Sequence, residues 1–202
     1  MTYTEFEGDL LTLGLPAIGH GCNCRGSMGA GIAKQLRDRY PQMYAAYNAK
    51  CRDGSFRPGG FFAWEADDTV IYNLATQQEP GPDARLDAIE ASVRAALADA
   101  QAREIPTLGL PRLGSGIGGL QWTDVADTLR SLAAESPVHL TVVRLPRVSP
   151  DRHAPRRLDT HTSTTDNQGE PKTPEQIFQE LLAGMPPKFR QAMPSQSNRS
   201  DS

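Results

Sequence analysis

Two stretches, GCNCRGSMGAGIAKQL at 21–36 and LPRLGSGIGGLQW at 110–122, share one plan: an apolar run ends, glycines crowd together, and a helix-forming run follows. Crowded glycines strip side chains from a turn, so backbone N–H groups can approach an anion. The helix that opens next adds unpaired donors and a favourable dipole. Two such turns at the ends of two strands can clamp a diphosphate. Neither turn ends in Gly-Lys-Ser or Gly-Lys-Thr, and neither carries the dinucleotide fingerprint with an acidic residue at its usual distance, so ordinary ATPase and dehydrogenase chemistry fits poorly.

Strand and helix patterns alternate up to about Pro146, which predicts an α/β fold with a central sheet. Strands are expected near 2–7, 17–22, 60–65, 69–74, 105–110 and 138–145. The polar turn ADDT between the third and fourth predicts an antiparallel hairpin, hence a mixed sheet. In ARLDAIEASVRAALADAQAR, Leu86, Ile89, Val93, Leu97 and Ala100 recur at helical spacing. A second helix leaves the first glycine stretch with Ile32, Ala33 and Leu36 inward and is broken at Pro41; a third covers 122–134, burying Val125, Leu129 and Leu132.

From Arg147 onward the chain is rich in Pro, Ser, Thr, Asp, Asn and Arg without a sustained period, and is expected to be a disordered tail, 147–202. Within it, Thr173 as cap, Pro174 at the first helical position and the stripe Ile177, Phe178, Leu181, Leu182 predict a short helix over 174–183 that docks a protein partner. The first domain is therefore 1–146.

The net charge is −3, and 13 of the 21 basic and 17 of the 24 acidic residues precede Arg147, so coating a duplex through many phosphate contacts is disfavoured; contact with one modified nucleotide is not. No apolar run approaches the roughly 20 residues of a membrane span, and the first ten residues lack the plan of a signal peptide, which predicts a soluble cytoplasmic protein; a monomer is expected. His20, Cys22 and Cys24 would share one face of an extended segment. A closed zinc site wants four ligands and only Cys51 remains as a candidate fourth, so small buried residues are expected here, with no metal and no cofactor.

GDLL after the first strand, HGCN closing the second, SMGAGIAKQL and LPRLGSGIGGLQW resemble, in that order, the macrodomain, the ADP-ribose-binding module. They are most similar to the class that holds terminal ADP-ribose protein glycohydrolase and the DarG antitoxins. The resemblance covers about 1–146 and implies a three-layer αβα fold with a cleft at the strand ends. It implies that Asp9 accepts from the adenine amino group with Leu10 giving backbone contact, and that Asn23 touches the distal ribose. It also implies that Met28, Gly29, Ala30, Gly31 and Ile32 wall one phosphate loop, and Ser115, Gly116, Ile117, Gly118 and Gly119 the other. Read without it, Asp9 is a helix cap or turn residue and Asn23 a turn asparagine. Trp122 and Leu120 read as core, Arg112 as a brace for its loop, and Tyr72 and Asn73 as strand packing, although the resemblance implies cleft positions for these last two.

The resemblance places a catalytic lysine after the fourth strand and, in the human enzyme, an aspartate in the second loop; Gln77 and Gly118 stand there. A covalent lysine mechanism is thereby disfavoured. Glu79 and Asp83 are nearby carboxylates in a Pro- and Gly-rich turn, while Asn23 and Gln77 are the expected catalytic pair, positioning a water. The implied partner is ADP-ribose, or an ADP-ribosylated protein or nucleic acid. Three functions follow in order of expectation: a hydrolase without the lysine, a noncatalytic reader, and a scaffold acting through its tail helix.

Overall fold

The computed structural model describes residues 2–66 and 68–146; the expected disordered tail, with its helix over 174–183, lies outside them. Six strands, β1 (Tyr3–Glu7), β2 (Ala17–Cys22), β3 (Phe61–Ala66), β4 (Thr69–Ala75), β5 (Thr107–Pro111) and β6 (His139–Arg144), form one sheet in the order β1-β6-β5-β2-β4-β3. Only β3 runs antiparallel, paired with β4 so that Ala66 faces Thr69. Every other neighbouring pair is parallel.

The helices are α1 (Gly31–Arg39), α2 (Pro41–Arg52), α3 (Leu86–Ala102) and α4 (Trp122–Glu135). Side chains alternate between sheet faces with a period of two, and β4 displays this plainly. Tyr72 and Leu74 join Ile89 and Val93 of α3 and Val125 and Leu129 of α4. Ile71 and Ala75 join Leu36 of α1 and Met43 and Tyr47 of α2. The result is the expected three-layer αβα arrangement. Fully burying one such leucine or isoleucine contributes about 1.5–3 kcal/mol, and α3 buries Ile89, Val93, Leu97 and Ala100 along one face.

Pro41 divides α1 from α2, as its ring predicts. Tyr40 before it sits at φ −129°, ψ 71°, outside the helical region that a following proline disfavours, and Pro41 then opens α2 in the first helical turn. Two elements have no sequence forecast: α2, of which only the break at Pro41 is expected, and a 3-10 turn at Leu10–Thr12, too short to set a period. The turn is capped by Asp9, whose Oδ1 accepts from Leu11 N at 3.0 Å.

The topology fixes where a ligand can sit. After β2 the chain moves through α1 and α2 towards β4, and after β5 it moves through α4 towards β6, on the other face. The paths diverge between β2 and β5, which are neighbours, so a crevice opens at their carboxyl ends, the switch point where open α/β sheets bind ligands.

Candidate functional site

Both glycine turns flank this crevice, because one follows β2 and the other follows β5. The first is knitted by Asn23, which is 7% exposed. Its Oδ1 accepts from Arg25 N at 2.9 Å and Ser27 N at 3.2 Å, its Nδ2 donates to Ser27 O at 2.7 Å, and the Tyr47 hydroxyl donates to its backbone carbonyl at 2.7 Å. Among the described residues, Nδ2 has Ser27 O as its one acceptor, so its second hydrogen is uncommitted there. Met28 is buried with Leu36 and Met43 and anchors the loop from beneath, so it can offer only backbone to the crevice.

Beyond Met28, Gly29, Ala30 and Gly31 are exposed, and Ile32 is half-buried. Ala30 caps α1 in an extended conformation and makes no side-chain cap bond, which leaves the first N–H groups of α1 without a side-chain acceptor. Gly31 adopts φ +56°, where L side chains are strained, and no atom lies within 4 Å of where its Cβ would stand. Backbone conformation, not crowding, requires glycine there.

The second turn is tighter. Leu120 N donates to Gly114 O at 2.9 Å, Gly119 N to Gly116 O at 3.3 Å, and Ser115 Oγ to Arg112 O at 3.3 Å. A Cβ on Gly116 would meet nothing within 4 Å, whereas one on Gly118 would stand 2.6 Å from Ala84 Cβ and 2.7 Å from Gly114 O. Ile117, at the tip, is 68% exposed, a large apolar side chain left in water. The Arg112 guanidinium lies 4.7 Å above the Trp122 ring and 3.5 Å from Glu5, so it braces the turn from the β1 side. Trp122 and Leu120 pack against the core.

A third segment, between β4 and α3, touches both turns. Gln77 bridges to Ala84 through the backbone, and its Nε2 donates both hydrogens, to Glu79 O at 2.6 Å and Gly81 O at 3.1 Å. Only Oε1 remains. Cys24 N donates to Gln78 O at 3.1 Å, tying this segment to the first turn, and Ala84 N donates to Gly118 O at 3.2 Å, tying it to the second. Glu79 is paired with Arg25, whose Nε lies 2.8 and 3.0 Å from the two carboxylate oxygens. Asp83 Oδ2 accepts from Glu79 N at 2.8 Å and Gln78 N at 2.9 Å. The Arg25 hydrogen bond holds Glu79 below the usual carboxylate range, and the Glu79 and Gln78 amides do the same for Asp83. Both are ionised acceptors, committed to holding the segment rather than poised as acids.

The remaining residues singled out in the sequence divide between edge and core. Asp9 and Leu10 follow β1 at the same edge of the sheet; Leu10 is 4% exposed. Tyr72 and Asn73 are fully buried: the Tyr72 hydroxyl donates to Asp99 at 2.8 Å, and Asn73 donates from Nδ2 to Phe62 O at 3.1 Å. Asn73 Oδ1 lies 2.9 Å from His20 Nε2, and burial lowers the His20 pKa to about 4. Cys22 and Cys24 are buried free thiols, and among the described residues no group of three or more His, Cys, Asp or Glu side chains is placed to hold a metal ion. No helix of the described residues is long and apolar enough to cross a membrane.

Sequence reasoning missed Tyr47 as the support of Asn23 and Arg25 as the partner of Glu79. Arg25 and Glu79 lie 54 positions apart, and no local spacing joins them.

Two relatives, both named DNA ADP-ribosyl glycohydrolase, are similar over most of the chain. That of Mycobacterium tuberculosis is 33% identical over 138 residues, 66% of this chain and 39% of the relative. That of Thermus aquaticus is 28% identical over 164 residues, 79% of this chain and 45% of the relative. This chain thus spans less than half the length of these curated relatives. Among solved structures, the macrodomain of Mycobacterium tuberculosis DarG superposes with a TM-score of 0.64 at 32% identity, covering 72% of this chain and 98% of that one. The Macro domain family model matches residues 20–129, more than half of the chain and the span that holds both glycine turns and Gln77, and the chain belongs to that family.

Proposed function

We propose that residues 1–146 form a module that binds ADP-ribose along the carboxyl edge of the sheet and releases it, by water, from a modified nucleic acid or an ester-linked protein. The observation that carries the reading is the pair of side-chain-poor turns at the switch point, each opening a helix without a side-chain cap. In this reading the amides of both turns that are not donated within the turns would converge on one anion site, which suits a diphosphate.

Strand order supports the ligand's length. Asp9 follows β1, Ser115–Gly119 follow β5, Gly29–Ile32 follow β2 and Gln77 follows β4. From β1 to β4 there are four strand spacings, roughly 19 Å at about 4.8 Å each, suited to an extended ligand with a base, a diphosphate and a second sugar in that order. Asp9 would take the adenine amino group beside the Leu10 backbone. Met28, Gly29, Ala30, Gly31 and Ile32 line one side of the diphosphate, and Ser115, Gly116, Ile117, Gly118 and Gly119 the other.

At the distal ribose, the acceptor Oε1 of Gln77 orients a water, and the unused Nδ2 hydrogen of Asn23 holds a sugar hydroxyl. The water oxygen bonds to the anomeric carbon, the bond from that carbon to the modified group breaks with its electron pair on the leaving atom, and the proton lost by water reaches that atom by way of a ligand phosphate oxygen. The products are ADP-ribose and the unmodified acceptor. The names of the relatives favour a nucleic-acid substrate.

A reader without turnover is the second reading. It is favoured by glutamine at 77, by the crowding that keeps a carboxylate from 118, and by the commitment of Glu79 and Asp83 to internal bonds. Free ADP-ribose should raise the melting temperature, because it binds the folded state alone. A release assay with ADP-ribosylated oligonucleotide and glutamate-modified protein then separates the two: liberated ADP-ribose supports the hydrolase, and binding with no release leaves the reader. No thermal shift at millimolar ligand would remove both.

A further inference from the structure

We infer that Arg25 and Glu79 act as a positioning pair, holding the Gln77 carboxamide so that it presents an acceptor and never a donor to the ligand. The inference rests on the hydrolase reading for its consequence in turnover, and on geometry alone for the orientation. Both Nε2 hydrogens of Gln77 are donated, to Glu79 O at 2.6 Å and Gly81 O at 3.1 Å. A flipped carboxamide would set Oε1 against these two carbonyl oxygens, so the orientation is chosen by the loop.

The loop must itself be held, and the Glu79 peptide is the point of attachment. Its N–H donates to Asp83 Oδ2 at 2.8 Å, and its side chain receives Arg25 Nε at 2.8 and 3.0 Å and Nη2 at 2.5 Å. The preceding residue is fixed from the same side by Cys24 N donating to Gln78 O at 3.1 Å. Two of these three restraints therefore come from the first glycine turn, the element that meets the diphosphate in the reading above.

The ion pair is half in solvent, with side chains 57% and 50% exposed. Exposed pairs contribute little to global stability and weaken with salt. A fold determinant would be buried and indifferent to ionic strength; this pair joins two site loops at the surface. Guanidinium Nη1 has no hydrogen-bond partner among the described residues, so the geometry needs only two of the guanidinium nitrogens.

The test follows the Gln77 side-chain amide by NMR in the full chain, its resonance assigned by loss in Gln77→Ala, alongside turnover of an ADP-ribosylated oligonucleotide. In Arg25→Gln and Glu79→Gln, amide exchange should quicken about threefold or more and kcat should fall roughly three- to tenfold at little-changed KM, with melting temperature held within about 2 °C. The charge swap R25E/E79R should restore both. Raising salt from about 0.05 M to about 0.5 M should lower kcat of the parent protein and leave that of Glu79→Gln unmoved. Unchanged amide exchange in both single variants overturns the inference whatever turnover does, as does a swap that restores neither readout. If the parent protein releases nothing but its amide responds to Arg25→Gln, the hydrolase reading fails and the positioning pair stands.

Discussion

Gly118 and Ala84 approach so closely that a Cβ on the glycine would stand 2.6 Å from the Ala84 Cβ, with Gly114 O at 2.7 Å on its other side. The contact is between backbone and a short rigid side chain, so neither can swing away. Ala84 N also donates to Gly118 O at 3.2 Å, fastening the same two segments. The position where the resemblance calls for an aspartate is thus closed to any side chain in this chain.

Gly118→Asp is therefore expected to damage the second turn rather than add a catalytic carboxylate. Overpacking of this kind costs about 1–3 kcal/mol, several degrees in melting temperature. Ala84→Gly combined with it should recover only part, since Gly114 O remains. A melting curve and an ADP-ribose titration check this; a variant as stable as the parent with higher turnover would show that the turn opens freely.

Gln77→Ala removes the uncommitted carboxamide oxygen of Gln77 just past β4 and should lower kcat roughly 10- to 100-fold. ADP-ribose affinity should change by less than about twofold, because in the proposed reading the diphosphate is held by backbone elsewhere. Gln77→Glu should do no better than alanine, since its oxygens would face the Glu79 and Gly81 carbonyls that now receive hydrogens. Steady-state kinetics with parallel calorimetry separates the two quantities, and equal losses in affinity and kcat/KM would assign Gln77 to binding alone.

How much of this was legible beforehand depended on the reach of each signal. The glycine turns, the helix stripe from Leu86 to Ala100 and the split at Pro41 are local, and the structure places each where its spacing indicated. The β3–β4 hairpin was readable from its short polar turn. By contrast, the support of Asn23 by Tyr47 and the pairing of Arg25 with Glu79 join residues remote in sequence, which no period can reveal. Gln77 stood out by its position, but that its amide hydrogens are spent on Glu79 and Gly81 depends on how the turn closes. Asp9 kept both of its readings: it caps a turn that the sequence did not forecast, at an edge where a base can lie.

Those two readings of Asp9 separate by substitution. Asp9→Ala loses the bond from Leu11 N and should cost about 1 kcal/mol of stability, whereas Asp9→Asn keeps a side-chain oxygen for the cap and should cost little. If Asp9 also takes the adenine amino group, both variants should weaken ADP-ribose binding and neither should weaken ribose 5-phosphate binding. Calorimetry with the two ligands decides; equal effects on both would confine Asp9 to its cap.

His20 gives a pH signature unconnected with turnover. It is fully buried, its Nε2 faces Asn73 Oδ1 at 2.9 Å, and burial lowers its pKa from 6.5 to about 4. Because Asn73 Nδ2 is already donated to Phe62 O, Oδ1 must accept, and the neutral ring carries its proton on Nε2. The unfolded chain binds that proton as pH falls through 6.5, while the folded chain resists until about 4. Stability is thus complete above pH 6.5 and is lost between about 6.5 and 4, by roughly 3 kcal/mol across the window at about 1.4 kcal/mol per pKa unit. Urea midpoints measured across that window should fall more steeply in the parent protein than in His20→Gln, whose amide can still donate to Asn73 but carries no titrating group. Parallel slopes would mean that the ring is solvated or charged in the folded chain.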